Sequence, residues 1–505
     1  MPMYRFDQKK TPLFDALMEY VGNDTQSFHV PGHKKGQGLA GRFRDFIGTN
    51  AASIDVTVCR QVDSLHRPTG PIKEAQELAA DAFNADHTFF CVHGTSGAVQ
   101  AMIMSVCSAG EKIIVPRNVH KSVTAGIILS GAVPVYMQPE VDGNVGMALN
   151  VTPGTVQEAL EKNRDARAVL IVNPTYFGVT GDIKGIAQVV HGYGIPLLVD
   201  EAHGPHLHFN EELPVAALDA GADMCAQSTH KILTSLAQSS MLHVREGRVD
   251  VSRVKAVMSL LQTTSPSYIL LASLDAARMQ AATEGKELLD GAIGLARYAR
   301  EEINGMEGLC CFGEEIVGRE GAFGFDPTKV TVTCRGLGIS GFELEGILAE
   351  RYFIQPELSD LYNVLCVFTI GDTREKVERL LAALREISGK CGAGGRSRGA
   401  VPLPEMPKIP PRGLSPRDAF YAGTVRVPLE DSVGEISGEM LMAYPPGIPL
   451  LCPGEVVTGE IVEYVKALKA AGLCVQGTED PEAEFIKVVG EGVGVGRRAG
   501  QIRAL

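Results

Sequence analysis

The stretch Ile195-Pro196-Leu197-Leu198-Val199-Asp200-Glu201-Ala202-His203-Gly204 decides how the chain is read. Its apolar half has the composition of a short strand covered on both faces, and it ends on an acid. A carboxylate at the end of a buried strand is costly unless a cation or a set of hydrogen-bond donors meets it. A protonated ring nitrogen is one such partner, because charge pairing favours both ionised forms. Neighbouring backbone donors are the plainer one, and this segment alone leaves the two open. Outward from it, between about residues 85 and 245, apolar runs at 88–91, 112–115, 168–172 and 196–199 alternate with helix-length stretches such as 97–107 and 119–129. That rhythm predicts an α/β domain with a mostly parallel sheet. In such sheets ligands bind beyond the carboxyl ends of the strands, so the residues just after each run are the candidates.

Three further segments fall at such ends. Gly94-Thr95-Ser96-Gly97 lies between a strand and a helix, where hydroxyls and free N–H groups suit an anion; an ordinary capped helix start is the competing reading. Ser228-Thr229-His230-Lys231 follows the run ADMCAQ. A lysine amine made nucleophilic by burial condenses with an aldehyde, and the hydroxyls and imidazole beside it could meet a phosphate. Pro116-Arg117-Asn118-Val119-His120-Lys121 follows KIIV, and an imidazole there could stack on a flat ring.

Composition bounds the class. The 505 residues exceed what one core serves, so two to four domains are expected. Apolar and charged contents of 45% and 21% are those of a soluble protein. A net charge of −13 argues against nucleic acid as a partner. Neither a membrane span nor a signal-peptide core is read from the sequence, and eleven scattered cysteines suggest reduced thiols; together these predict a cytoplasmic protein. The expected division is an N-terminal arm at 1–50, a large domain at 51–285, a small α/β domain at 286–391, a Gly/Pro-rich linker at 392–412 and a C-terminal α+β domain at 413–505. An amphipathic helix at 374–387, capped by Asp372 or Thr373, belongs to the small domain.

The order of the four segments resembles the layout of the aspartate-aminotransferase-type pyridoxal-phosphate fold. Longer matches are more specific: FHVPGHKKG (28–36), FFCVHGTSGAVQ (89–100), IIVPRNVHKS (113–122), NPTYFGV (173–179), LVDEAHG (198–204), STHK (228–231) and YPPGIPLLCPGE (444–455). The chain resembles the Orn/Lys/Arg decarboxylase family in its short form, without an N-terminal wing domain, and is most similar to its bacterial arginine-specific biosynthetic members.

This resemblance implies pyridoxal 5'-phosphate as cofactor, with Lys231 as the Schiff-base lysine and Asp200 on the ring nitrogen. It implies His120 stacked on the ring, Ala202 and His203 in the cofactor-binding set with His203 near the other face, and Thr95, Ser96, Gly97, Ser228 and His230 on the phosphate. Lys231, Asp200, His120 and His203 form the expected catalytic set. Thr263, in Gln262-Thr263-Thr264-Ser265-Pro266, would reach the phosphate of a neighbouring subunit, implying a homodimer. Glu455 would help hold the cationic tail of the substrate. The implied reaction is decarboxylation of arginine to agmatine, with lysine or ornithine as the alternatives and transamination or aldol cleavage as further options of the fold. Two other classes are weighed. His203, His206 and His208 form an HxxHxH cluster that could ligate zinc, and His29 with His33 is a second histidine pair. A catalytically silent regulatory homologue is the other, against which the intact Lys231 and Asp200 argue. The expectation is no bound metal. The basic tail 496–505 reads as a disordered end.

Overall fold

Runs of Val, Ile and Leu without polar alternation need cover on both sides. In the computed structural model, which describes residues 4–143, 146–392, 406–444, 448–470 and 472–490, they form one seven-stranded sheet. Its strands are β1 (His87–Cys91), β2 (Lys112–Pro116), β3 (Val133–Met137), β4 (Ala166–Val172), β5 (Leu197–Asp200), β6 (Met224–Gln227) and β7 (Ser240–Val244). The order across the sheet is β1-β7-β6-β5-β4-β2-β3, and β7 alone runs against the others.

Alternation along each strand splits its side chains between two cores. Ile113, Val115, Leu170 and Leu198 pack on one face with Met102 and Ile127 of the helices Gly94–Val106 and Lys121–Ser130. Ile114, Val169, Ile171 and Val199 pack on the other with Leu160 and Ile186 of the helices Pro153–Lys162 and Ile183–Gly192. The mostly parallel α/β sheet expected from the apolar runs is therefore present. The sequence reading did not single out β3, whose Pro134 and half-buried positions weaken its pattern.

The expected boundary at 285/286 falls inside a continuous helix, Tyr268–Asn304. Its first half packs with Leu13 and Leu17 of the N-terminal arm, and its second half with the next domain. One helix thus serves two cores. That second domain carries the antiparallel strands Cys310–Cys311, Lys329–Thr333, Asn363–Val367 and Leu358–Ser359, covered by the helix Arg374–Gly392. Thr373 accepts from the Lys376 N–H at the start of that helix, whereas Asp372 turns back to Thr369.

The C-terminal unit pairs Thr424–Pro428 with Phe485–Val489 and packs the helix Gly459–Ala470 on a three-stranded sheet. Residues 393–405 of the expected linker, Pro445-Pro446-Gly447 of the C-terminal motif and the basic tail at 496–505 lie outside the described residues. Among the described residues no helix is long and apolar enough to cross a membrane, and the ten described cysteines are free.

Candidate active site

Because β7 alone is reversed, the carboxyl ends of β1, β2, β5 and β6 open on one edge of the sheet, where β7 begins. The four segments read from the sequence leave the sheet at that edge. Beyond β1, Gly94 takes a φ of +66°, a conformation that glycine adopts freely, and the chain turns at once into the helix Gly94–Val106. Its first-turn N–H groups lack helical partners and carry the positive end of the helix dipole. Thr95 Oγ1 lies there, 2.5 Å from Ser228 Oγ and 2.9 Å from Ser240 Oγ, so hydroxyls from the segments after β1 and β6 and from the start of β7 converge. Ser96 and Gly97 line a cavity of about 150 Å³ with His93 and Gln262.

Lys231 follows β6 in the short helix Thr229–Ile232, and its Nζ donates to His203 Nε2 at 2.7 Å. Burial holds this amine below the ordinary lysine range, while Asp200 and Glu357 pull it back up. Asp200 ends β5 almost wholly buried and accepts from the Ala202 N–H at 3.2 Å. No cation stands in ion-pair contact with it among the described residues, so burial raises its pKa to about 6 against the pull of Lys231.

His120 caps the helix Lys121–Ser130. Its Nδ1 accepts from the Ser122 hydroxyl and N–H, and burial with the nearby Lys231 lowers its pKa to about 4. His203 is buried, and burial and Lys231 keep it well below the ordinary histidine range. His230 Nδ1 donates to the Ser239 carbonyl at 2.8 Å.

The remaining candidates find these partners in three dimensions. Glu455, expected at the substrate's cationic tail, instead accepts from Arg117 Nη1 and Nη2 at 2.7 Å each and from the Cys452 N–H at 2.7 Å. Both residues are buried, so this carboxylate joins the C-terminal unit to the loop after β2. That reading is corrected on geometry: an acid saturated by a guanidinium has no free edge for a second cation. Thr263, read as reaching a neighbouring subunit, has its carbonyl accepting from His66 Nε2 at 2.8 Å. The HxxHxH histidines diverge: His203 meets Lys231, His206 meets Asp326, and His208 meets Asp219. His29 and His33 likewise part, to Tyr20 and Asp55. No group of three metal-ligating side chains occurs among the described residues.

The sequence reading missed Tyr176, whose ring centroid lies 4.6 Å from that of His203 and 5.6 Å from Lys231 Nζ. Its segment, NPTYFGV, had carried the resemblance without a role for the tyrosine. It also missed Lys329 and Asp326, buried charges at the head of an apolar strand, which were the signal available.

The family model for the Orn/Lys/Arg decarboxylase major domain matches residues 11–376, and that for the C-terminal domain matches 408–479. The chain belongs to the Orn/Lys/Arg decarboxylase family. It is 51% identical to an arginine decarboxylase of Bacillus anthracis over 97% of this chain and 99% of that protein. It is 48% identical to an arginine decarboxylase of Bacillus subtilis over 96% and 99%. The solved lysine decarboxylase LdcF of Francisella novicida shares the fold, with a TM-score of 0.82 at 23% identity over 95% of this chain and 81% of that one. The architecture is that of the aspartate-aminotransferase-like pyridoxal-phosphate enzymes.

The side chains at the edge fit that cofactor. A nucleophilic amine, a buried carboxylate without a cation, and hydroxyls at a helix N-terminus match an aldehyde, a ring nitrogen and a phosphate. His203 Nδ1 is buried without a hydrogen-bond partner, as a polar atom facing a group yet to bind would be.

Proposed function

We propose that this member of the family is a pyridoxal-phosphate-dependent arginine decarboxylase, releasing CO2 and agmatine, a precursor for polyamine synthesis. The reading is carried by the partly desolvated Lys231 amine lying in the field of Asp200 at the edge that also holds the hydroxyl cluster. The choice of arginine is supported by relatives about half identical over nearly the whole chain. When bound, the cofactor supplies an aldehyde for an amine and a protonated ring that takes up the electron pair of the breaking Cα–carboxylate bond.

The protein's residues have separate tasks. Asp200 keeps a proton on the ring nitrogen, and the charge pairing offsets the burial that raises its own pKa. Thr95, Ser96, Gly97, Ser228 and His230 hold the phosphate, the first three through hydroxyl and N–H donors at the helix start. Ala202 and His120 border the ring. Lys231, depressed by burial, is a neutral amine for more of the time than a surface lysine and is the nucleophile. His203, uncharged beside it, accepts a hydrogen bond from the Lys231 amine, and Lys231 or His203 delivers the proton to Cα.

The reading includes a cytoplasmic homodimer in which Thr263 reaches the partner's phosphate. Free cysteines support the compartment, and the largely exposed Phe28 and Phe46 of the N-terminal arm support a protein surface covering them.

The test is CO2 release by cofactor-loaded protein given arginine, lysine and ornithine separately, with products identified. Agmatine is expected; cadaverine or putrescine would change the substrate, and a keto acid would change the reaction. Lys231→Ala should abolish turnover and the visible band of the lysine-bound cofactor. Unaltered turnover would remove Lys231 from the mechanism.

A further inference from the structure

Beside the His203 carbonyl lies a second polar cluster that the reaction as described leaves unused. Asp326, Thr328 and Lys329 stand where the second domain enters the strand Lys329–Thr333, and all three are fully buried, as is His206. Lys329 Nζ lies 3.1 Å from Asp326 Oδ2 and donates to the His203 carbonyl at 3.5 Å. Asp326 Oδ2 also lies 3.1 Å from His206 Nε2, and its Oδ1 accepts from the Thr328 N–H at 3.0 Å and hydroxyl at 2.7 Å.

The loop bearing Tyr176 is tied to the same residues. The Asp326 N–H donates to the Gly178 carbonyl at 2.8 Å, and a Cβ on Gly178 would come within 2.9 Å of Lys329 Cβ. Strand residues Val179–Thr180 pair with Gly324–Phe325 just beyond. A fully buried ion pair is a weak source of stability, because desolvation offsets most of its attraction. This one sits where the second domain touches two loops that face the reacting lysine.

We propose that Lys329 and Asp326 are positioning residues for the reaction, clamping the His203 and Tyr176 loops from the second domain so that the His203 ring stays a hydrogen-bond acceptor for the Lys231 amine. The proposal rests on Lys231 as the reacting amine. The groups that bear on His203 are Lys231 at its Nε2, Lys329 at its carbonyl, Asp326 and His120 through their charge, and the Tyr176 ring 4.6 Å away. Burial, both lysines and His120 oppose a proton on His203; Asp326 favours one. Without Lys329, one of the groups that oppose a proton on His203 is gone while Asp326, held 3.1 Å from His206, still favours one, so the ring takes up a proton more readily. The ring would then cease to accept from Lys231 and would repel its cationic form.

The experiment uses full-length protein without cofactor or substrate, labelled with carbon-13 in its histidines, with the His203 resonance assigned through His203→Gln. In Lys329→Met the His203 titration midpoint should rise by about one pH unit or more, and in Lys329→Arg it should stay near wild type. In loaded enzyme the acid limb of kcat/KM should move the same way. An identical His203 titration in Lys329→Met, with the far-UV circular dichroism of the native fold, would overturn the proposal. So would a uniform loss of rate at every pH, the mark of a merely structural role.

Should Lys329→Met not fold, Asp326→Asn/Lys329→Met removes both charges together. Its kcat should drop about tenfold or more with little change in KM, because the clamp on His203 is gone; wild-type kcat would overturn the proposal. The titration needs neither arginine nor cofactor, so its outcome is separate from that of the substrate assignment.

Discussion

Asp200 is a single carboxylate held where burial opposes its charge. Its folded-state pKa of about 6 lies above the ordinary 3.8, so between these values the folded form binds the extra proton. Stability from this group is therefore present below pH 3.8, is lost as pH rises to 6, and stays lost above. Asp200→Asn removes the buried charge. In cofactor-free protein at pH 8 it should raise the unfolding free energy by up to about 3 kcal/mol, with the gain vanishing below pH 4. Urea unfolding at the two pH values measures this, and a loss of stability at pH 8 would contradict it. The same variant should retain cofactor yet lose most of its decarboxylation rate, since a neutral amide cannot hold a proton on the ring nitrogen. Asp200 was legible as a polar residue closing an apolar run, and Lys231 as part of the polar cluster that follows one. Tyr176 was not, because an aromatic residue in a loop looks the same whether it packs or lines a site.

At the scale of elements, β7 is the strand that reverses direction, and it carries a buried histidine between its neighbours. His243 Nδ1 lies 2.8 Å from Thr88 Oγ1 on β1, and its Nε2 lies 3.1 Å from Gln227 Oε1 on β6. Burial lowers its pKa to about 3, so the unfolded chain binds the proton more readily between pH 6.5 and 3. Stability from His243 is present above pH 6.5 and is lost as pH falls through that window, by on the order of 5 kcal/mol. His243→Gln, which keeps polar atoms within reach of both partners, should flatten the acid limb of stability against pH in chemical unfolding; an unchanged slope would show that other groups govern it. The parallel strands were readable because cover on both faces makes them uniformly apolar. The long helix Tyr268–Asn304 was not readable as one element across two domains, because its burial switches from one core to another partway along.

Across the whole molecule, the C-terminal unit is joined to the large domain by polar contacts between distant residues, one of them a buried ion pair. Arg117 and Glu455 fasten the C-terminal unit to the loop after β2, and Arg412 and Arg417 donate to the Pro134 and Leu129 carbonyls beside it. Glu455→Ala leaves a guanidinium buried and uncompensated, so it should cost about 3–5 kcal/mol and hasten proteolytic release of the C-terminal unit. KM for arginine should stay where it is. A raised KM with unchanged stability would return Glu455 to the substrate pocket. The assembly carries its own prediction: sedimentation equilibrium should find twice the 53.9 kDa chain mass. Phe28→Ser/Phe46→Ser should shift the equilibrium toward single chains; a monomeric parent would remove the shared site.

The sequence by itself determined the sheet edge and the residues that leave it. In a parallel α/β unit strand ends are marked by the change from apolar to polar residues, and that change is local. The order of Thr95, His120, Asp200 and Lys231 therefore carried the fold and named the candidate residues gathered at that edge. Only the tertiary structure decided which partner each buried charge has. Glu455 finds Arg117 across 338 residues, and Lys329 reaches the His203 carbonyl across 126. No periodicity records such pairs, because they are set by how separately folded units dock.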